Sequence, residues 1–270
     1  MHPDKVVILR TPRQKSGPSV GRNIGIENAT GKYITIIDAD DWWSPTFLEK
    51  TVENMKNVDA VTTGYYDVIE NTGILIKSLP RKTGVISWRD VLQFKARLSQ
   101  GSSLLRKDFI DEFKIRFPEK YRYTEDTFFY TQYISVIEKV YSIGTPEFYH
   151  LIRTGSLVRG RVPNPEVKII HTVRVYDELC ERVLPKISDK YKEVCELVNK
   201  HFKPYSIMTY IISISDTHGR KVARELFLKY LKHLLHYRPN TTIPSLITLF
   251  WMMDMIIPIR KLVRSIIIGD

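Results

Sequence analysis

The sequence predicts an α/β fold followed by a helical C-terminal region, and three observations carry that prediction. An apolar run, Tyr33-Ile-Thr-Ile-Ile37, leads directly into Asp38, Asp40 and Asp41. Short β-branched runs then alternate with amphipathic segments up to Ser156. Beyond Pro165 the apolar residues recur every three or four positions, the period of a helix face.

Taken in order, Lys5 to Leu9 reads as a brief strand, and Arg10 to Pro18 as a basic loop. Ser19 is placed to cap a helix running through Ala29, with Gly31 closing it and with Arg22 and Asn23 on its first turn. Tyr33 to Ile37 has no polar break, as expected of a strand buried on both faces of a largely parallel sheet. Its carboxyl end is where such sheets place their ligands. Three carboxylates in four residues repel one another, and a bound cation would relieve them. Hard oxygen donors of this kind suit Mg²⁺ or Mn²⁺. The competing reading is a solvated acidic turn before a helix capped by Ser44, with Pro45 in its first turn.

Thr46 to Asn57 reads as a helix, and Val58 to Glu70 and Ile74 to Ser78 as strands joined at Asn71-Thr-Gly73. Trp88 to Arg97 reads as a helix and Ser102 to Leu105 as a short strand. Trp42 and Trp43, beside the aspartates, form either a platform for a sugar ring or ordinary packing. Thr124 is placed as a cap, with Glu125 and Asp126 on the first helical turn, where the helix dipole favours carboxylates. Phe128, Phe129, Tyr133 and Ile137 make the apolar stripe behind them.

Helices are expected near 166–184, 186–200, 204–215 and 219–236, punctuated by Pro185, Pro204 and Pro239. The tail, near 243–266, is apolar around Trp251 and Asp254 and ends in Arg260, Lys261 and Arg264. It is short for a membrane span, and an acid in the middle of a span is costly. A helix lying on an anionic membrane surface, or packed on protein, fits it better.

The composition is that of an ordinary globular chain, 43% hydrophobic and 26% charged, and long enough for one large domain or a domain with an appendage. The net charge of +11 is uneven. Residues 1–150 carry 21 Lys and Arg against 19 Asp and Glu, and residues 151–270 carry 20 against 11. A basic second half faces an anionic membrane more readily than nucleic acid, because no nucleic-acid motif accompanies it. Cys180 and Cys195 lack metal-ligand spacing and read as reduced and structural. No apolar leader is visible at the start, so a cytoplasmic chain, peripheral at the inner membrane face, is expected.

The stretch Gly17-Pro-Ser-Val-Gly-Arg-Asn-Ile-Gly-Ile-Glu-Asn-Ala-Thr-Gly-Lys-Tyr-Ile-Thr-Ile-Ile-Asp-Ala-Asp-Asp41 resembles the signature of the inverting family-2 glycosyltransferases of the GT-A fold. That signature reads roughly G-x-S-x-A-R-N-x-G-I-x-x-A-x-G-x-Y-I-x-F-L-D-x-D-D. Gly21 replaces its usual Ala, and Ile36-Ile37 its Phe-Leu.

The resemblance implies transfer of a sugar from a nucleotide-sugar to a glycan or lipid-linked acceptor, with a divalent metal and inversion, in surface polysaccharide synthesis. It assigns the metal to Asp40 and donor binding to Arg22, Asn23 and Asp38, with Asp41 nearby. It makes Asp126 the catalytic base and Glu125 a supporting group for the acceptor. In the region of the family's closing strand, His150 stands where an aromatic is usual and is a candidate for the metal shell. Arg153 is offset from the family's arginine by two residues.

The resemblance covers roughly residues 5–158. The family's opening strand and turn, and a second strand ending D-D-G-S-x-D, have no counterpart here. The expectation is therefore an N-terminally truncated GT-A domain over residues 1–160, followed by a helical region over 161–270. A non-catalytic remnant that binds a partner or membrane is the alternative.

Overall fold

The computed structural model describes residues 5–12, 17–153 and 162–234. The tail near 243–266 and the Gly155-Ser156 loop lie outside them. Seven described strands form one sheet: β1 (Tyr33–Ile34), β2 (Trp42–Trp43), β3 (Ala60–Ile69), β4 (Leu75–Ser78), β5 (Gly84–Ser87), β6 (Ser103–Arg106) and β7 (Lys139–Ile152). The order is β1-β6-β3-β7-β2, with β4 paired to β3 and β5 to β7.

Only β3 and β7 run parallel; every other pairing is antiparallel. The expectation of a largely parallel sheet is therefore wrong. The hairpin at Asn71–Gly73 is present, closed by Gly73 N–H donating to Ile69 O at 2.9 Å with Gly73 at φ +65°. Connections this short return the chain antiparallel. The expected five-residue central strand is also corrected. Only Tyr33–Ile34 pairs, and only with β6. Ile36 carries on without a ladder, its carbonyl accepting from Gly101 N–H at 2.6 Å. Lys5 to Leu9 forms no strand either: no described strand lies beside it, and Val7 and Ile8 stand 78% and 85% exposed.

The helices flank this sheet. Those of the first half are α1 (Pro18–Asn28), α2 (Phe47–Glu53), α3 (Trp88–Leu92), α4 (Lys107–Glu112) and α5 (Glu125–Val136). After residue 162 come α6 (Glu166–Glu178), α7 (Leu184–Ile187), α8 (Tyr191–Leu197), α9 (Lys203–His218), α10 (Arg220–Lys229) and α11 (Leu231–Leu234). Leu179–Val183 and Val198–Phe202 are π-helical turns that join neighbouring helices.

Several expected caps fail on inspection. Ser19 lies inside α1, which Gly17 precedes, and its buried hydroxyl has no partner among the described residues. Arg22 and Asn23 consequently fall on the second turn. Ser44 lies ahead of α2 and donates to Glu147 instead. The expected helix over Trp88–Arg97 stops at Leu92, and Phe94 takes φ +58°.

The main core gathers Ile34, Ala60, Trp88, Leu92, Phe129, Tyr133 and Ile134 together with Val175, Leu179, Leu184 and Val194 from the later helices. Burying each of the larger aliphatic and phenyl side chains among them contributes about 1.5–3 kcal/mol. The helical region thus closes over α5 and holds its first turn at the mouth of the sheet.

Candidate active site

The loop after β1 turns tightly, with Asp41 N–H donating to Asp38 O at 3.1 Å. Its three carboxylates then diverge, each to a different partner. Asp38 Oδ1 accepts from Arg22 Nη2 at 2.9 Å. Asp40 pairs with Arg153. Asp41 Oδ1 accepts from Leu151 N–H at 2.8 Å. Burial pushes the Asp41 carboxyl up, and the Leu151 N–H opposes that shift. Each of the like charges thus meets a protein group.

Arg22 is the centre of the arrangement. It reaches Asp38 on one side and Glu125 Oε1, at 3.1 Å, on the other. Burial works against its charge, but the two carboxylates hold its pKa above the ordinary arginine value. Burial also pushes the Glu125 carboxyl up, Asp126 adds to the shift, and Arg22 opposes it. With its amide turned so that the oxygen faces Arg22, Gln100 accepts from Nε at 2.9 Å and Nη2 at 2.8 Å.

Asp126 stands beside Glu125, half-buried. Among the described residues its hydrogen bonds run through Oδ1, which accepts from Thr127 N–H at 2.7 Å. Thr124 does not cap the helix through its side chain. It adopts the left-handed conformation, φ 66°, and its hydroxyl meets Thr172 Oγ1 at 2.9 Å.

Asn23 sits apart from this centre. Its amide clamps the chain ahead of α5, donating to Phe117 O at 3.0 Å and Glu119 Oε1 at 3.1 Å and accepting from Phe117 N–H at 2.8 Å. His150 Nδ1 lies 2.8 Å from Asp67 Oδ1, its cross-strand neighbour on β3. That bond raises the His150 pKa; burial opposes it, and the nearby Asp41 charge supports it.

Trp42 and Trp43, adjacent on β2, point to opposite faces of the sheet. Trp43 donates from Nε1 to Gly101 O at 2.6 Å and stacks on Phe47 at 4.9 Å, so it packs. Trp42 stacks on Tyr149 at 5.3 Å and remains 43% exposed.

Sequence reasoning missed Gln100, Gly101, Asp67 and Arg97. Arg97 is exposed in the loop before β6, with Tyr65 Oη 3.5 Å from Nη1 and Tyr205 and Asp126 within electrostatic reach. Gln100-Gly101 ahead of a short apolar run was the one available signal, and it marks only a turn.

No three His, Cys, Asp or Glu side chains converge as a metal cage among the described residues. Mg²⁺ and Mn²⁺, however, are commonly held by one or two carboxylates with substrate phosphates completing the shell. Asp40 fits that role, because its carboxylate is partly open and its partner Arg153 is half exposed.

Residues 2–114 match the family model described as glycosyl transferase family 2. An uncharacterized glycosyltransferase of Methanocaldococcus jannaschii is 30% identical over 166 residues, 60% of this chain and 52% of its own length. The putative glycosyltransferase EpsH of Bacillus subtilis is 26% identical over 155 residues, 54% of this chain and 45% of its own. The chain thus spans about half the length of these curated relatives. S. aureus TarS 1–349, solved in complex with UDP-GlcNAc, superposes with a TM-score of 0.54 at 16% identity over 82% of this chain and 70% of TarS. The fold class expected from the sequence, a GT-A-type α/β domain followed by helices, is the one observed.

Proposed function

We propose that the protein transfers a sugar from a nucleotide-sugar to a hydroxyl of a glycan or lipid-linked glycan, with inversion, in surface polysaccharide synthesis. The observation that carries this reading is the double contact of Arg22. It ties the acidic loop after β1 to the first turn of α5, so two carboxylate motifs far apart in sequence are joined through one guanidinium. The family match supports glycosyl transfer. TarS binds UDP-GlcNAc, which makes UDP-sugars the first donors to try.

In this mechanism the acceptor hydroxyl attacks the anomeric carbon as Asp126 takes its proton. The bond from that carbon to the diphosphate oxygen breaks, and its electron pair leaves with the nucleoside diphosphate. A single displacement of this kind inverts the anomeric configuration. Arg22 supplies a cation to Glu125 beside the acceptor, opposing the upward push of burial, and holds Asp38 toward the donor. A Mg²⁺ or Mn²⁺ ion arriving with the donor would be held by Asp40, with Asp38 nearby, and would neutralise charge on the diphosphate.

The test compares the full chain with Asp126→Asn, using labelled UDP-sugars, Mn²⁺ and glycan acceptors. Donor binding survives in the variant, while transfer falls roughly a hundredfold to ten-thousandfold, the usual contribution of a positioned base. Near-parental turnover removes Asp126 from the mechanism. A parent chain that binds no nucleotide-sugar of any kind sinks the transferase reading.

A further inference from the structure

The hairpin that ends in β4 has a surface unlike the rest of the sheet. Ile74, Leu75 and Ile76 are consecutive and stand 39%, 51% and 49% exposed. Leu79, next after β4, is 45% exposed and continues the patch. Between Glu70 and Asp90 there is no Asp or Glu, while Lys77, Arg81, Lys82 and Arg89 all lie there. Lys82 is paired with Asp90, and Arg89 with Glu193. Lys77 and Arg81 are exposed and have no carboxylate partner among the described residues. The segment is firmly held. Its turn is closed at Ile69–Ile74, and Arg81 and Lys82 N–H both donate to Lys95 O, at 2.7 and 3.0 Å.

We infer that the tip and second arm of this hairpin with the loop that follows, residues 71–81, form a contact surface for an anionic lipid bilayer, with the apolar residues in the headgroup boundary and Lys77 and Arg81 on the lipid phosphates. Two observations select that occupant. Successive residues of a strand point to opposite faces, so a protein docked on one face would leave every second side chain wet. Here three neighbours in a row are apolar and exposed, the pattern suited to a tip wrapped by lipid on both sides. Charge excludes the chain's own material. A second copy of the hairpin carries the same cations, and residues 235–270 hold four Arg and Lys against two Asp.

The consequence is positional. Ile76 lies directly across from Asp67, and Asp67 holds His150 beside the acidic loop. Neighbouring strands lie about 5 Å apart. A bilayer at β4 would therefore sit one strand away from the wall of the cleft, where a lipid-linked acceptor would arrive.

The test places an environment-sensitive fluorophore at Leu75→Cys in the full chain, with Cys180 and Cys195 changed to Ser. A control label sits at Glu112→Cys on α4. Vesicles of phosphatidylcholine with phosphatidylglycerol should shift the label at 75 to the blue and shield it from an aqueous quencher, leaving the label at 112 unchanged. Lys77→Ser and Arg81→Ser should each weaken vesicle binding about fivefold. Three outcomes overturn the inference: no binding of these vesicles, bound protein whose label at 75 stays in water, or a label already shielded before vesicles are added. The last result would mean that the chain itself, a second copy or an acidic protein covers the hairpin. No donor or acceptor enters the measurement, so its failure is separate from any failure of glycosyl transfer.

Discussion

Arg22 on α1 and Glu125 on α5 are 103 positions apart and meet at 3.1 Å, with both side chains only 12% exposed. Glu125 is pushed toward its neutral form by burial, and Arg22 is the cation that opposes that shift. Arg22→Gln should therefore act twice. It should lower stability by about 3 kcal/mol, since the remaining carboxylate is left half-buried and unpaired. It should also reduce transfer roughly a hundredfold or more by loosening both halves of the cleft. Thermal melts and turnover measured on the same sample check this, and parental values for both would remove Arg22 from the centre of the site.

Glu147 is a second charged node, almost fully buried. Burial alone would raise its pKa, but Lys50, Ser44, Thr145 and Thr46 together hold it down at about 2. A carboxylate depressed in the folded state contributes stability that is complete above its ordinary value near 4.5 and is lost as pH falls toward 2. Glu147→Gln should cost about 2 kcal/mol at pH 7. It should also flatten the loss of stability between pH 4.5 and 2. Urea unfolding of parent and variant at pH 7 and pH 3 tests this: the gap should shrink at the lower pH, and an unchanged gap contradicts the assignment.

Gly101 has φ +71°, and a Cβ there would meet the Phe148 ring at 2.1 Å. The close approach lets its carbonyl receive Trp43 and its N–H reach Ile36 O. Gly101→Ala should destabilise by about 2–4 kcal/mol through clash and left-handed strain combined. Phe148→Leu added to it should recover part of the loss, because the ring is what the methyl strikes. Failure of that rescue would place the cost in the backbone alone.

Much of the site is legible in the sequence because each carboxylate motif is local. Asp38, Asp40 and Asp41 follow an apolar run directly, and Glu125 and Asp126 open a helix with an apolar stripe. The later helices are legible for the same reason, since Leu179, Val183 and Leu184, and then Leu226, Tyr230, Leu231 and Leu234, recur at three- and four-residue spacings. What joins the motifs is not local. Nothing in the spacing of Arg22 announces Glu125, and Gln100 and Arg97 enter through a loop whose only mark is a glycine. The error at β1 has a similar origin: Ile36 and Ile37 have strand composition, but composition cannot reveal that a ladder partner is missing. Ser44 looks like a capping residue, and its hydroxyl and that of Thr46 are taken by Glu147, about a hundred residues away.

Thr124 brings the chain into α5 in a conformation that a β-branched residue occupies at a cost of about 1–2 kcal/mol. The helix that presents Asp126 thus begins under tension, held by the Thr124–Thr172 contact and by the later helices that close over it. Relaxing the bend and keeping the aim are opposed demands at this position. Thr124→Gly should raise the melting temperature if backbone relief outweighs the lost contact, and should slow turnover as the carboxylate gains freedom. Selection for hardiness alone would push this residue toward glycine, and selection for rate would hold it where it is.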